Sequence, residues 1–117
     1  AQTGIKSLDV TIDCDNLDAK KLGTMGIPAR FDLCNIEGFE DTNGTMHPAE
    51  DVREAISALG FPIEDAVKDK PSIRLKIDKI FTGLLTGFPG NNNFILTVTE
   101  NNGLSTTKTL KYYVPAN

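Results

Sequence analysis

The residue types best suited to chemistry cluster in the polar stretch over 37–50. Four of its side chains offer oxygen ligands around Gly44, in the manner of a calcium-binding loop: Asp41, Asn43, Thr45 and Glu50. When Gly44 is aligned with the EF-hand glycine, however, Phe39 falls where the first ligand belongs. We therefore interpret the stretch as a polar turn, and we expect no metal ion and no cofactor.

The one histidine, His47, stands directly before Pro48. A catalytic triad or a zinc site would need a second histidine, a nearby cysteine or a nucleophile motif, and none accompanies His47 in the sequence. We expect a structural or solvated role for it. Asp78 is interpreted as a helix cap. Asp13 and Asp15 are interpreted as a solvated strand face, and Asp18 is interpreted as part of a connection. The sequence therefore predicts a protein that is not an enzyme.

The best candidates for contacting a ligand are two aromatic side chains and a run of asparagines. Sugar rings stack on exposed aromatic side chains, and amides hydrogen-bond to their hydroxyl groups. Tyr113 is expected to face out of the last strand, and Phe88 is expected in a loop over 85–93. The predicted ligand-contact residues are Phe88, Asn91, Asn92, Asn93 and Tyr113. The alternative for Phe88 is a core position at a helix end.

Size, charge and hydropathy limit the classes of fold and partner. A chain of 117 residues is typical of one domain, here 1–117. Its 12 basic and 16 acidic residues give a net charge of −4, which opposes binding to nucleic acid. The longest mainly apolar run, 80–88, is too short and too interrupted to be a transmembrane segment. The chain opens at Ala1 without an initiator methionine, which we interpret as a removed signal peptide or a chosen boundary.

A β-hairpin predicted over 94–114 is the element around which the chain is organised. Apolar and polar residues alternate on both arms, which is the period of half-buried strands. A two-residue loop would set apolar side chains opposite polar ones. A three-residue loop at 101–103 pairs Phe94 with Leu110 and keeps the apolar side chains on one face. Such a loop requires Gly103 at positive φ.

Apolar periodicity also predicts the remaining elements. They are strands over 7–15, 27–36 and 72–77, a helix over 48–59, and helical turns over 63–67 and 79–85. The helix has Pro48 at its first position and Gly60 just beyond its end, and Asp78 is the expected cap of the last turn. The stretches over 15–26 and 91–93 are interpreted as connections. These elements predict an all-β fold with a short helical insertion.

The two cysteines, Cys14 and Cys34, are expected to be reduced. Cys14 shares a strand face with apolar residues and is expected to be buried, whereas Cys34 lies opposite Phe31 and Leu33. A disulfide needs both side chains directed at each other, which this arrangement does not provide. Exported chains with two cysteines often pair them, so a disulfide is kept as the alternative.

The second half of the chain has an order of motifs that is known from other proteins. The motifs are Leu59–Pro62, Leu75–Ile80, Pro89–Gly90, Phe94–Gly103 and Lys108–Leu110. In this order the chain resembles Ig-like domains, and more distantly PKD-like sandwiches, of secreted or lipid-anchored cell-envelope proteins of gut bacteria. Glu100 stands where that pattern usually has an aspartate, and the antibody-type tryptophan is missing.

The resemblance implies an all-β, Ig-like antiparallel β-sandwich in which the helix over 48–59 is an insertion. It also implies an exported protein at the cell surface or in the periplasm, with other envelope proteins or domains, or glycans, as partners. It brings no catalytic residue with it. The expected function is a non-enzymatic structural or interaction module, and the alternative is a carbohydrate-binding accessory module.

Overall fold

The computed structural model describes residues 3–76, 78–80 and 87–116. The protein is mostly β, with two antiparallel sheets and few helices, which confirms the predicted all-β class in its coarse form. The elements in chain order are β1 (Ile5–Cys14), α1 (Ala19–Thr24), β2 (Arg30–Asp32), β3 (Phe39–Glu40), β4 (Met46–His47), α2 (Ala49–Leu59), a 3-10 helix (Glu64–Ala66), β5 (Gly90–Glu100) and β6 (Ser105–Val114). In the described part of the chain the second sheet is only the short β3–β4 hairpin, so the Ig-like sandwich stays a prediction.

The larger sheet has four strands in the order β2-β1-β5-β6 and one face in the core. Val10 of β1 lies beside Leu96 of β5, and Ile12 lies beside Phe94. All four of these side chains are buried. Successive residues of a strand point to opposite faces, so the residues between them form an open polar face. The predicted first strand is thereby confirmed as β1.

The predicted C-terminal hairpin is confirmed in both register and loop. Phe94 of β5 lies opposite Leu110 of β6. The N–H of Gly103 donates to the carbonyl of Glu100 at 2.9 Å, and Gly103 has a φ of +91°. A Cβ added to Gly103 would meet no atom within 4 Å, so the backbone angle alone requires glycine there.

Helix α2 confirms the predicted helix, with a small correction at its start. Pro48 is the N-cap, one position before the first helical residue, because its carbonyl already accepts from the N–H of Val52 at 3.1 Å. Val52 and Ile56 are completely buried on one face. Gly60 ends the helix in the left-handed conformation, with a φ of +106°. The helical turn predicted over 63–67 is confirmed as the 3-10 helix.

One hydrophobic cluster joins the core face of the sheet to the helices and connections. Phe61, which follows α2, has its ring centroid 5.9 Å from that of Phe94 and 5.8 Å from that of Phe31. Leu22 of α1 and Val67 are buried in the same cluster. The helices therefore cover one face of the sheet and leave the other in solvent.

The predicted second strand is much shorter than expected, because a side chain turns the backbone. β2 covers only Arg30–Asp32 instead of 27–36. One carboxylate oxygen of Asp32 accepts from the N–H of Cys34 at 2.9 Å and from the N–H of Leu8 at 3.0 Å. Such a local bond competes with the sheet ladder and ends it. Leu33 lies in this turn but is also buried, so the apolar alternation of the sequence extends beyond the end of the strand.

Three other stretches differ from the predictions. Residues 72–76 alternate in burial but pair with no described strand, so the strand predicted over 72–77 is wrong for them. The run over 91–93 lies inside β5 rather than in a loop. The connection over 15–26 contains α1, whose N-cap Asp18 accepts from the N–H of Lys21 at 2.9 Å. Strand pairing with β1 and β6 overrode the local composition at 91–93, and a local cap did so at the start of α1.

The helical turn predicted over 79–85 falls mostly outside the described residues. Residues 78–80 are helical, and 81–86 are among those that the structure does not describe. The N–H of Ile80 donates to the carbonyl of Lys76 at 3.0 Å. Asp78 therefore lies within the first helical turn rather than at the predicted cap position.

Candidate functional site

Strand β5 separates the predicted ligand-contact residues onto two faces of the sheet. Asn91 pairs with Tyr113 of β6, and Asn93 pairs with Lys111. These residues lie on the open face, whereas Asn92 points into the core with no exposed surface. The structure thus brings Tyr113, Asn91 and Asn93 together and removes Asn92 from them.

The open-face cluster consists of two rows of side chains across the sheet. Asn93 stands between Asp13 of β1 and Lys111 of β6, and Asn91 stands beside Tyr113. Directly opposite residues in an antiparallel pair have Cβ atoms about 5 Å apart. Tyr113 is 65% exposed, so its ring is available for stacking beside amide, carboxylate and ammonium groups. We name the residues Asp13, Asn91, Asn93, Lys111 and Tyr113 the open-face cluster.

The backbone at one end of the open-face cluster is fixed by Asp15. Its carboxylate accepts from the N–H of Asn91 at 2.8 Å, and its own N–H donates to the Asn91 carbonyl at 2.9 Å. Gly90 has a φ of +104°, and a Cβ there would lie 2.8 Å from the carboxylate of Asp15. Glycine is therefore required at position 90, and Asn91 has a defined position relative to Tyr113.

Asn92 and Phe88 have structural surroundings. The Asn92 side-chain amide donates to the carbonyl of Phe88 at 3.1 Å, which ties the turn before β5 to the strand. Phe88 is half-buried against the core, and the ammonium of Lys21 lies 5.9 Å from its ring centroid. This placement agrees with the alternative of a core position for Phe88. Its contact with a ligand stays a prediction.

A concave feature, a cavity of about 460 Å³, lies beside β2. Its lining includes part of Phe31, whose ring is buried in the core against Phe61. It also includes Phe39 and four charged residues: Asp9, Asp32, Glu37 and Arg30. We call this the β2 cavity. The sequence did not reveal this cavity, although the acidic alternation of β1 pointed to Asp9. Its wall combines strand residues with the connection between β2 and β3, and apolar periodicity does not show how these segments come together.

His47 takes part in a side-chain stack at the edge of the β2 cavity. Its Nε2 lies 2.8 Å from Oδ2 of Asp41, and its ring is stacked on Phe39 with centroids 4.8 Å apart. The other Asp41 oxygen accepts from the backbone N–H groups of Asn43 and Thr45, at 2.9 Å and 3.0 Å. The bond from His47, followed by that from Thr45, lowers the pKa of Asp41. A structural role for His47 was predicted, but its partner was not.

The polar turn over 41–45 has the geometry of a side-chain-closed loop. The Asp41 carboxylate that a calcium loop would offer to a cation already accepts hydrogen bonds from Asn43, Thr45 and His47. Among residues 3–76, 78–80 and 87–116, no three histidine, cysteine, aspartate or glutamate side chains are placed to hold a metal ion. The arrangement stabilises a hairpin.

Both cysteines are free thiols, as predicted. Cys14 is half-buried opposite Asn92, which is less burial than expected, and Cys34 lies in the turn after β2. Burial raises the pKa of each thiol to about 11. Because the thiolate is the reactive form, neither side chain has the character of a catalytic nucleophile at neutral pH.

Comparisons with known proteins identify no relative of this chain. No protein-family model, curated protein or solved structure matches the chain. In the described residues no helix has the length and apolar character to cross a membrane. We therefore infer the function of the chain from its surfaces.

Proposed function

We propose that this chain is a non-enzymatic structural or interaction module of an exported bacterial cell-envelope protein, of the secreted or lipid-anchored kind found in gut bacteria. The sequence motifs from 59 to 110 support the compartment, since they resemble Ig-like domains of such proteins. We also propose the finer fold, an Ig-like or PKD-like sandwich with α2 as an insertion. Antiparallel pairing throughout and a C-terminal hairpin support it. An experimental structure in which a second extended sheet faces β1 and β5 would verify the sandwich, and a single covered sheet would reject it.

The interaction surface that we propose is the outer edge of β6 over 105–109. This strand has ten residues, contains no proline and forms the end of the sheet. In the described part of the chain no strand pairs with its outer side. Residues 105–109 are all exposed, although they point to both faces of the sheet. An edge of this length is a template for an added strand from a partner. This exposed edge is the observation on which the proposed interaction rests.

The register of the hairpin defines which backbone groups point to a partner. The N–H of Glu100 donates to the carbonyl of Leu104 at 2.8 Å, and hydrogen-bonded pairs in an antiparallel ladder recur at every second residue. Even-numbered residues of β6 therefore bond to β5, and odd-numbered ones such as Thr109 direct their N–H groups outwards. The edge also holds Lys108 and Lys111 in a chain of net charge −4. This favours an acidic partner strand.

The test uses two variants at one outward-facing position. Thr109→Pro removes an outward N–H without removing a bond to β5, whereas Thr109→Ala keeps the N–H. Proteins captured from a bacterial envelope extract by the wild-type chain should be retained by Thr109→Ala and lost with Thr109→Pro, at unchanged melting temperatures. Equal capture by both variants would reject the β6 edge. Turnover of an ester, peptide or glycoside substrate by the purified chain would reject a non-enzymatic function.

The second candidate function is that of a carbohydrate-binding accessory module, which the open-face cluster favours. A ring that is 65% exposed, with Asn91 and Asn93 beside it on a flat sheet, offers stacking and hydrogen bonds to a sugar. Glycan-array screening followed by calorimetry tests this function. Saturable binding that survives Tyr113→Phe but is lost in Tyr113→Ala would place the sugar on this ring. Loss in Phe88→Ala instead would move the site to the turn before β5.

A further inference from the structure

The β2 cavity has an acidic lining with little internal compensation. Asp9, Asp32 and Glu37 contribute carboxylates, and Arg30 is the one basic residue of the lining. The guanidinium of Arg30 lies 4.0 Å from Asp9, at the limit of an ion pair, and the Arg30 side chain is 70% exposed. An ion pair with this separation and this exposure is a weak interaction. The cavity therefore presents negative charge to any molecule that enters it.

Two of these carboxylates belong to residues that are paired across adjacent strands. Asp9 of β1 and Asp32 of β2 are direct register partners. Like charges directly opposite each other in an antiparallel pair repel, and a cation placed between them would relieve the repulsion. One oxygen of Asp32 is held by the N–H groups of Leu8 and Cys34, so the carboxylate has a fixed position. The repulsive pair is thus built into the sheet.

The aromatic wall of the cavity is held in place from behind. Phe39 lines the cavity, and His47 is stacked on it with a centroid distance of 4.8 Å. His47 is fixed in turn by Asp41, whose side chain is 5% exposed. A Cβ on Gly23 of α1 would lie 2.8 Å from the Cβ of Asp41, so α1 closes directly against this stack. An aromatic ring in a lining that also contains carboxylates can attract an organic cation.

The size of the site distinguishes an organic cation from a metal ion. Among the residues that the structure describes, no three acidic, histidine or cysteine side chains lie close enough together to hold a metal ion. The volume of about 460 Å³ instead lies in the range of small-ligand sites. We propose that the β2 cavity binds an organic cation, the guanidinium or alkylammonium group of a basic side chain or of a free amine. This site does not depend on the β6 edge or on the open-face cluster.

The binding test is an NMR titration of the full ¹⁵N-labelled chain. The probe is Nα-acetyl-L-arginine amide, and the neutral control is Nα-acetyl-L-citrulline amide, which has nearly the same shape without the charge. We expect saturable shifts of the backbone amides over 29–39 with the arginine derivative and none with citrulline. Parallel titrations use Nα-acetyl-L-lysine amide and spermidine. Stronger binding of the arginine derivative would identify the preferred ligand as a planar guanidinium stacked on Phe39. Stronger binding of spermidine would identify it as a free amine.

The variants separate the cavity from general electrostatic attraction. Glu37→Gln and Asp9→Asn each remove one charge from the lining at almost unchanged shape. Each should weaken binding about tenfold, the size of one lost charge-assisted contact. The matched control is Glu54→Gln, which removes the same charge from an exposed position of α2 that does not line the cavity. Equal weakening by Glu54→Gln, equal shifts with citrulline, or no saturable shift would overturn the proposal.

Discussion

The two hairpins of this protein are stabilised in different ways. The β5–β6 hairpin pairs two strands of ten or more residues and contributes the buried side chain of Phe94 to the core. The β3–β4 hairpin pairs only Phe39 with His47 and Glu40 with Met46. Its loop is closed instead by the Asp41 carboxylate, which accepts hydrogen bonds from two backbone N–H groups and from the His47 ring.

This difference shows which interactions determine each hairpin. The long hairpin gains stability from a continuous ladder and from core burial, so its register follows from periodicity. The short hairpin has too few ladder bonds to be stable alone and depends on its side chains and on contact with α1. Core substitutions should therefore destabilise the first hairpin, and changes around Asp41 should affect the second.

The largest effect is expected from Phe94→Ala in the long hairpin. Phe94 is completely buried, with its ring centroid 5.9 Å from that of Phe61. Removing the ring leaves a cavity and should lower the free energy of unfolding by about 3–5 kcal/mol in urea denaturation. The matched control is Ile95→Ala, the next residue on the open face, which should cost clearly less. Equal costs would mean that the two faces of β5 are not distinguished by packing.

The next effect is expected from Gly23→Ala, at the contact between α1 and the short hairpin. Alanine favours a helix over glycine by about 1 kcal/mol. Its Cβ would, however, lie 2.8 Å from the Cβ of Asp41, and overpacking costs about 1–3 kcal/mol. We expect a net loss of stability in thermal denaturation, with Lys20→Ala on the same helix as a nearly neutral control. A gain in stability would show that the hairpin is not held against α1.

A smaller effect is expected from Gly103→Val in the loop of the long hairpin. No neighbouring atom obstructs a side chain there, so the cost comes only from the φ of +91°. A β-branched residue in this conformation should lower stability by about 1 kcal/mol or more. Gly103→Asn should cost less, because asparagine tolerates the left-handed region. Identical melting of the two variants would contradict the three-residue loop.

The smallest effect is a pH dependence of the short hairpin. Hydrogen bonds from His47 and then from Thr45 lower the pKa of Asp41 from its ordinary 3.8. The stabilisation is therefore fully present above about pH 3.8 and is lost as the pH falls through the lower folded value. A carboxyl ¹³C titration should give a midpoint below 3.8 for the wild type.

The control for this titration removes the His47 donor and compares the result with a change at a neighbouring residue. In His47→Leu the midpoint of Asp41 should move back towards its ordinary value, because the largest cause of the lowering is gone. Met46→Leu changes an exposed neighbour in the same strand and should leave the midpoint unchanged. An unchanged midpoint in His47→Leu would contradict the Asp41–His47 bond in solution.

Much of the fold was predictable wherever the cause lies within a few residues. The register that pairs Phe94 with Leu110 followed from face matching, and helix α2 followed from its apolar spacing. The candidate site was predictable only in part. Tyr113 was expected to face outwards, and it does, but the asparagines were placed in a loop, and so their division between two faces was missed. The β2 cavity was missed entirely, because its walls combine residues of β1, β2 and β3 with the connection between β2 and β3.

The sequence by itself determined two of the positions where the backbone takes a positive φ, Gly60 and Gly103, together with strand β1 and the C-terminal hairpin. These features depend on residues that are adjacent in the chain. Only the tertiary structure decided that Asp32 ends β2, that Asn92 is buried while Asn91 is not, and that Asp41 and His47 pack against α1. Each of these depends on which distant segments pair and pack, and local periodicity does not encode that choice.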